Sequence, residues 1–258
     1  MTKVRTETEI ATMRAGGKLL SESLAAVVTI VKPGVTMREL DTLAEKLLRA
    51  GGGEPSFKGY RARVKDTPFP STLCISVNDE VVHGLGNRDI VLREGDIVGL
   101  DIGVWFGGLC TDMAVTVPVG KVSADDQKLI DVTRKSMLAG IDAVCGGAAV
   151  SAVGQAVQDF VKPYGYGIVR DLVGHGVGDK VHEDPHIPNY YDPRYDRVKF
   201  QSGMTVAIEP MLTTGDYHVH TAGDGWAVVT NDGLRAAHAE VTILITDNGY
   251  EFITPMVS

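Results

Sequence analysis

The sequence predicts an α+β fold built from two related halves, spanning about residues 1–120 and 121–258. Each half reads as two amphipathic helices followed by strand-rich sequence, so the same order of elements occurs twice. The segments EGDIVGLD (94–101) and SGMTVAIE (202–209) also align, with glycine, valine and an acidic residue in register. No linker or low-complexity tract separates the halves. Their antiparallel sheets would therefore pack together as one domain with the helices outside.

The first half begins with two predicted helices. Apolar spacing from Ile10 to about Ile30 marks the first, which ends before Pro33. The segment TMRE reads as a capping box that starts a second helix at Thr36. This helix is expected to end at Gly51. The predicted strands of this half are TLCISV (72–77), DIVGLDIGVWF (96–106) and CTDMAVTVPV (110–119).

The second half repeats this plan. Ser123 starts a long helix that reaches about Val144, and Ser151 is expected to cap another that ends near Pro163. Strand-rich sequence follows to the end of the chain. Within it, DLVGHGVGDKVHEDP (171–185) contains too much glycine for a helix and is too irregular for a buried strand. We expect a loop or a short bent strand there.

Composition places the chain among ordinary globular proteins. It has 258 residues, 44% of them hydrophobic and 22% charged, which suffices for a substantial core. A formal net charge of -8 argues against a protein that mainly grips nucleic-acid phosphates, although a small basic patch could still contact a ribosome. The three cysteines are too far apart for a C-x-x-C metal site or a disulfide framework. With neither a signal peptide nor a long apolar span recognisable, we expect a cytoplasmic protein without membrane contact.

Four carboxylates lie in strand segments that are otherwise apolar. Asp101 and Asp112 flank a predicted hairpin, Glu209 lies in MTVAIEPML, and Glu240 lies in AHAEVTILIT. A buried carboxylate needs a cation or several hydrogen bonds, and one shared cation site would account for all four. The alternative is that individual acids face solvent or cap turns.

Two histidines, His175 and His182, lie seven residues apart in the glycine-rich stretch. One histidine added to four carboxylates gives a site suited to manganese, iron(II), cobalt or zinc, and four acids exceed what a single ion needs. We therefore expect two divalent ions that share ligands, about 3.5–4 Å apart. The alternative is a tight turn with one hydrogen-bonded histidine. The remaining loop and strand histidines, His186, His218, His220 and His238, are expected to be exposed or hydrogen-bonded.

The order of the five proposed ligands resembles the signature of the pita-bread metallopeptidases, whose fold is an internal duplication. SVNDEVVHGLG around His83, GHGVGDKVHEDP around His175 and AIEPML around Glu209 are most similar to the methionine aminopeptidases. The resemblance covers nearly the whole chain. The interval between His182 and Glu209 is too short for the long insertion of the type II enzymes, so the chain resembles type I.

This resemblance implies a pita-bread fold and a dinuclear metal site. Asp112, His175, Glu209 and Glu240 would hold one ion, and Asp101, Asp112 and Glu240 the other. A water activated by the metal would attack the first peptide bond, with Glu209 as its general base. The substrate would be a nascent protein or peptide that begins with methionine and has a small second residue.

The resemblance also implies residues that contact the substrate. His182 would donate a hydrogen bond to the carbonyl oxygen, and His83 would contact the substrate near the scissile amide nitrogen. The methionine pocket would be lined by Tyr60, Phe69, Cys74, Val181 and Trp226, although apolar residues in strands are often simply core.

The sequence departs from the family pattern in three places. RARVKDTP (61–68) looks inserted, HGLGN replaces H-G-I-P beside His83, and Val241 stands where the family usually has histidine. The last change affects a contact beside Glu240 rather than the ligand itself.

Two other functions are compatible with the same scaffold. A proline-specific peptidase, such as a prolidase or aminopeptidase P, shares the five ligands but usually carries an additional amino-terminal domain. A binding protein without catalysis would share the fold but tends to lose ligands, and all five are present here. We expect a monomer whose partner is a peptide amino terminus, with no specific nucleic acid and with transient ribosome contact left open.

Overall fold

The structure is a computed structural model that describes residues 3–61 and 67–257, so residues 62–66 of the predicted insertion lie outside it. The described residues form four α-helices: α1 Glu7–Thr29, α2 Met37–Ala50, α3 Ala124–Asp142 and α4 Ser151–Val161. Their strands are β1 Glu54–Pro55, β2 Leu73–Val77, β3 Glu80–Val82, β4 Ile97–Phe106, β5 Leu109–Pro118, β6 Gly167–Ile168, β7 Gly174–Gly176, β8 Glu183–Ile187, β9 Thr205–Ile208, β10 Met211–Thr213, β11 Val219–Thr221, β12 Val228–Thr230, β13 Ala236–His238, β14 Glu240–Thr246 and β15 Gly249–Phe252. The predicted α+β class is confirmed.

Three of the four helix starts follow the predicted caps or an equivalent one. Thr6 and Thr36 each form a complete capping box, and the Ser123 hydroxyl accepts the Asp126 N–H. The predicted cap at Ser151 is wrong. Val150 precedes it in right-handed helical conformation (φ -60°, ψ -36°), so Ser151 is already the first residue inside α4. None of the helices formed by the described residues is long and apolar enough to cross a membrane.

The largest sheet has the strand order β1-β4-β5-β14-β9-β7-β8, with β2 also paired to β4 and β15 to β14. The predicted hairpin is present as β4 and β5, which pair from Ile97↔Pro118 to Phe106↔Leu109. Gly107 and Gly108 form its turn with φ of 56° and 83°, the conformation that a two-residue hairpin turn requires. Strand β14, late in the chain, lies between β5 of the first half and β9 of the second.

Both helix pairs pack on the same face of this sheet, opposite the acidic side chains, each over the strands of its own half. Helices α1 and α2 bury Leu20, Leu24 and Leu40 against β2, β4 and β5, while α3 and α4 bury Leu129 and Val153 against β9 and β14. These clusters contain most of the large side chains withdrawn from water, which is the dominant stabilising contribution in a fold of this size. The two cores leave the middle strands available to carry polar side chains on one face.

Candidate active site

A single cavity of about 250 Å³ brings together eleven of the twelve predicted site residues of the cation, catalytic and pocket groups. They are Tyr60, Phe69, Cys74, His83, Asp101, Asp112, His175, His182, Glu209, Trp226 and Glu240. Val181 packs with Phe69 and Cys74 in a neighbouring apolar cluster but is not among the residues that line the cavity. The lining also includes four residues that were not predicted there: Phe57, Val82, Leu172 and His238.

Cross-strand pairing explains why the first three acids converge. Asp101 on β4 and Glu240 on β14 both pair with Ala114 of β5, so the three residues form one row on one face of the sheet. Asp112 lies two residues before Ala114 on β5, and side chains two apart on a strand point to the same face. The small Ala114 side chain leaves space in the middle of this row.

The second half supplies the remaining two predicted ligands by the same rule. His175 on β7 pairs with Ala207 of β9, and Ala207 pairs in turn with Thr242 of β14. Glu209 follows two residues after Ala207, and Glu240 precedes Thr242 by two, so their side chains share this face. The His175 Nε2 atom lies 3.3 Å from Glu209 Oε1.

Two groups of possible metal donors result, each with one nitrogen. Donor atoms of Asp112, His175 and Glu240 lie within 4.8 Å of one another, and so do those of Asp101, His238 and Glu240. All five residues are buried. Glu240 belongs to both groups, so the groups are neighbours around a shared carboxylate.

The electrostatics of this cluster are unfavourable without a cation. Burial, followed by the charge of neighbouring acids, raises the pKa of Asp112 and Glu240 well above the ordinary range, and burial raises that of Glu209 likewise. Burial raises the pKa of Asp101 to about 7, partly offset by His238. One oxygen each of Asp101, Asp112 and Glu240 is buried without a hydrogen-bond partner among the described residues. Among the described residues that line the cavity there is no lysine or arginine, and bound divalent cations fit this donor set.

The two loop histidines face different surroundings. His175 is buried, and its Nδ1–H donates to the Gly176 carbonyl at 2.9 Å, which leaves Nε2 free toward Glu209. Burial lowers the pKa of His175 to about 3, so the imidazole is neutral at pH 7. The His182 ring is exposed at the cavity rim, 4.5 Å from the His175 ring, with Nδ1 2.9 Å from the Tyr60 hydroxyl.

An apolar wall lies beside this polar cluster. Phe69 and Trp226 meet edge to face with ring centroids 5.2 Å apart, and buried Cys74 pairs across the sheet with Asp101. Burial and the nearby carboxylates raise the pKa of the Cys74 thiol, so it stays uncharged. His83 has a positive φ of 60°, and burial lowers its pKa to about 4. The HGLGN segment thus holds a neutral imidazole at the cavity.

The expectation that His238 is exposed or hydrogen-bonded is wrong. Its side chain is 3% exposed, and Nε2 has no hydrogen-bond partner among the described residues. It lies two residues before Glu240, so the alternation H-x-E of an extended strand could have placed it beside that predicted ligand. The same expectation is confirmed for His218 and His220, which are exposed and bonded to Asp216 and Asn231, and for the exposed His186.

Comparison with known proteins agrees with this geometry. Residues 11–247 match the sequence model of metallopeptidase family M24. The methionine aminopeptidase of Clostridium acetobutylicum is 42% identical over 251 residues, covering 97% of this chain and 98% of that protein. The crystal structure of the methionine aminopeptidase from Thermotoga maritima has a TM-score of 0.93 at 41% identity, covering 99% of this chain and all of that one (100%).

A prolidase structure from Pyrococcus furiosus shares the fold, with a TM-score of 0.77 at 23% identity, and the match covers 98% of this chain but only 65% of that one. This likeness extends to the architecture alone. The nearly complete mutual coverage and higher identity lie with the methionine aminopeptidases. This chain belongs to metallopeptidase family M24, and within it to the methionine aminopeptidases, with the pita-bread fold that the sequence predicted.

Proposed function

We propose that this enzyme removes the amino-terminal methionine from peptides and nascent proteins whose second residue is small. The observation that carries the proposal is the row of buried carboxylates and imidazoles directly beside an apolar wall in one cavity. The names of the full-length relatives give the same activity. An uncharged, thioether-sized side chain suits the wall formed by Phe69, Cys74 and Trp226.

Membership of a metallopeptidase family implies divalent metal, and we propose two ions per chain. Asp112, His175, Glu209 and Glu240 would hold one, and Asp101, Asp112 and Glu240 the other. The buried, unpartnered carboxylate oxygens support this assignment, and cobalt, manganese, iron(II) and zinc all suit the donors. When bound, such ions polarise a carbonyl and lower the pKa of water.

The protein's own groups would then handle orientation and protons. Glu209 is placed to accept the proton of the attacking water, because burial raises its pKa toward the working pH. Accepting a hydrogen bond from Tyr60 at Nδ1 leaves Nε2–H of His182 to donate to the substrate carbonyl oxygen. His83, neutral and facing the same cavity, would contact the substrate near the scissile nitrogen.

The whole of residues 1–258 acts, in this proposal, as one catalytic domain, because β14 of the second half completes the sheet of the first. We place the activity in the cytoplasm, in a monomer that meets nascent chains with at most transient ribosome contact. Neither nucleic acid nor membrane takes part.

The test measures release of the first residue from peptides after chelator treatment and addition of single metals. Met-Ala-Ser should be cleaved, Met-Arg-Ser should be cleaved far more slowly, and formyl-Met-Ala-Ser should resist, because the free amine contacts the buried acids or metal. Gly-Pro peptides distinguish the proline-specific alternative. Equal rates on Met-Ala-Ser and Met-Arg-Ser, or preferred cleavage of Gly-Pro peptides, would refute the proposal.

A further inference from the structure

His238 is held rigidly at the edge of the carboxylate cluster. Its backbone N–H donates to the Thr116 hydroxyl at 2.9 Å, and that hydroxyl donates to the His238 carbonyl at 2.8 Å. On the other side, His238 pairs with Met211 of β10. Fixed by two neighbouring strands, the imidazole has little freedom to leave the cavity.

The Nε2 atom of this imidazole faces acids only at distances too long for direct hydrogen bonds. It lies 3.6 Å from Glu209 Oε2 and 3.8 Å from Glu240 Oε2. A donor atom of Asp101 also lies within 4.8 Å of a ring nitrogen of His238 and of a carboxylate oxygen of Glu240. Two ligands about 2.1 Å from one ion are about 3.4 Å apart at a tetrahedral angle and at most about 4.2 Å apart. The observed separation from Glu240 is thus that of two atoms that share a cation.

The nitrogen is also buried without a partner among the described residues, as is one oxygen of Asp101 and one of Glu240. Burying a polar atom without a hydrogen bond costs roughly 1–3 kcal/mol, so the His238 nitrogen and the carboxylates beside it need a further partner. No cationic side chain lines the described wall of the cavity. A divalent ion bound between Asp101, Glu240 and His238 would supply that partner.

We propose that His238 Nε2 is a ligand of the cation held by Asp101 and Glu240, so that each of the two ions has one imidazole. This rests on the proposed function, in which two cations bind. In the five-ligand pattern, the ion beside Asp101 has only carboxylate ligands. In this proposal His238 adds a neutral nitrogen ligand to that ion. An imidazole at both positions favours cobalt, iron(II) or zinc over manganese at the second position and lets it fill at lower metal concentration.

The test compares Co²⁺ binding by wild-type protein, His238→Ala and His238→Gln, with His220→Ala as an exposed-histidine control. Calorimetric titration of the wild type should show two ions. Both His238 variants should keep the first at unchanged affinity and bind the second at least about 10-fold more weakly. The visible spectrum of the second Co²⁺ should change in both variants but not in the control, and circular dichroism establishes that each variant is folded.

A second measurement needs no variant. In protein labelled with ¹⁵N at histidine, saturating Zn²⁺ should shift the Nε2 resonances of both His175 and His238. Two unchanged affinities in the His238 variants, or a shift of His175 alone, would overturn this inference and leave the proposed function standing. Wild-type protein that binds neither Co²⁺ nor Zn²⁺ would instead overturn the proposed function.

Discussion

At the scale of single residues, His175 and His182 differ although their rings touch. His175 is buried with Nε2 toward Glu209, whereas His182 lies at the rim against Tyr60. We expect His175→Ala to weaken metal affinity, with activity partly restored at high metal concentration. We expect His182→Ala to bind metal normally but to turn over roughly 10²–10³-fold more slowly, as when one oxyanion donor is lost.

Metal titration beside steady-state kinetics distinguishes these outcomes. His186→Ala serves as the control, because His186 is exposed in the same segment. If metal failed to rescue the His175 variant but rescued the His182 variant, the two roles would be reversed.

Tyr60 is expected to orient His182 through its hydroxyl, 2.9 Å from Nδ1. Tyr60→Phe keeps the ring of the pocket wall but removes this hydrogen bond, which is worth about 0.5–1.5 kcal/mol. Turnover should fall by roughly 2–10-fold with little change in KM for Met-Ala-Ser. In a His182→Ala background the same change should have no further effect on turnover, and an undiminished effect there would contradict the link.

The residues of the site could largely be predicted from sequence, since acids inside apolar strands are costly and therefore informative. Asp101, Asp112, Glu209 and Glu240 stood out for that reason. His238 did not, because a histidine in a strand carries no such cost and its direction depends on the pairing of β13 and β14 with their neighbours. Only the assembled sheet reveals which of its nitrogens lacks a partner.

At the scale of elements, the segment before α1 holds the loop between β7 and β8. The buried Arg5 guanidinium donates to Glu183 at 2.8 Å, to Asp179 at 2.7 Å and to the Val177 carbonyl at 3.1 Å. Its Nε also reaches the Thr205 hydroxyl at 3.2 Å. These bonds connect the chain start to both ends of the turn that presents His182.

Arg5→Met should therefore destabilise the protein and loosen this turn. Loss of charged hydrogen bonds in a largely buried site costs roughly 2–3 kcal/mol, and turnover should fall more than metal affinity because His182 is displaced while His175 is not. Thermal unfolding and metal titration check both parts. Arg14→Met is the matched control: its bridge to Glu251 is exposed, so its loss should change stability by less than about 1 kcal/mol.

Helix starts show where local sequence suffices. Capping boxes at Thr6 and Thr36 are local, since the cap and its partner are three residues apart. The start of α4 depends on residues that are distant in sequence. Ala149 forms an isolated β-bridge with Lys199, and the Val150 N–H donates to the Val198 carbonyl. Contacts some fifty residues away in sequence could not be deduced from the SAVGQ segment itself.

At the scale of the whole molecule, the carboxylate cluster makes stability depend on pH when metal is removed. In the folded chain Asp101 has a pKa of about 7, and burial raises the pKa of Asp112, Glu209 and Glu240 well above the ordinary range, whereas unfolded carboxyl groups titrate near 4. Between pH 6.5 and 8 the folded state thus binds more protons than the unfolded state, so stability falls as pH rises. The buried histidines have a lowered pKa in the folded state but one near 6.5 in the unfolded state, so they partly oppose this slope near pH 6.5 and contribute little above about pH 7.5.

For chelator-treated protein we expect a net loss of at least about 1 kcal/mol from pH 6.5 to 8, or at least about 2 °C in Tm, because the raised carboxyl groups outweigh the opposing histidines. Added Co²⁺ should abolish this fall, because metal replaces the protons. Asp101→Asn should make the slope shallower in the metal-free protein. A Tm that rises over this range without metal would show that the acids are ionised in the folded state and the cluster is not strained.

The position of β14 also orders events during synthesis. A ribosome completes all four helices and every other proposed ligand before it adds Glu240, the residue shared by both donor groups. Until β14 emerges, β5 and β9 have open edges toward each other, which exposes the nascent chain to wrong pairing and to chaperones. Ions that arrive earlier meet only fragments of a site. We therefore expect this enzyme to select its metal only after translation has reached the last strands.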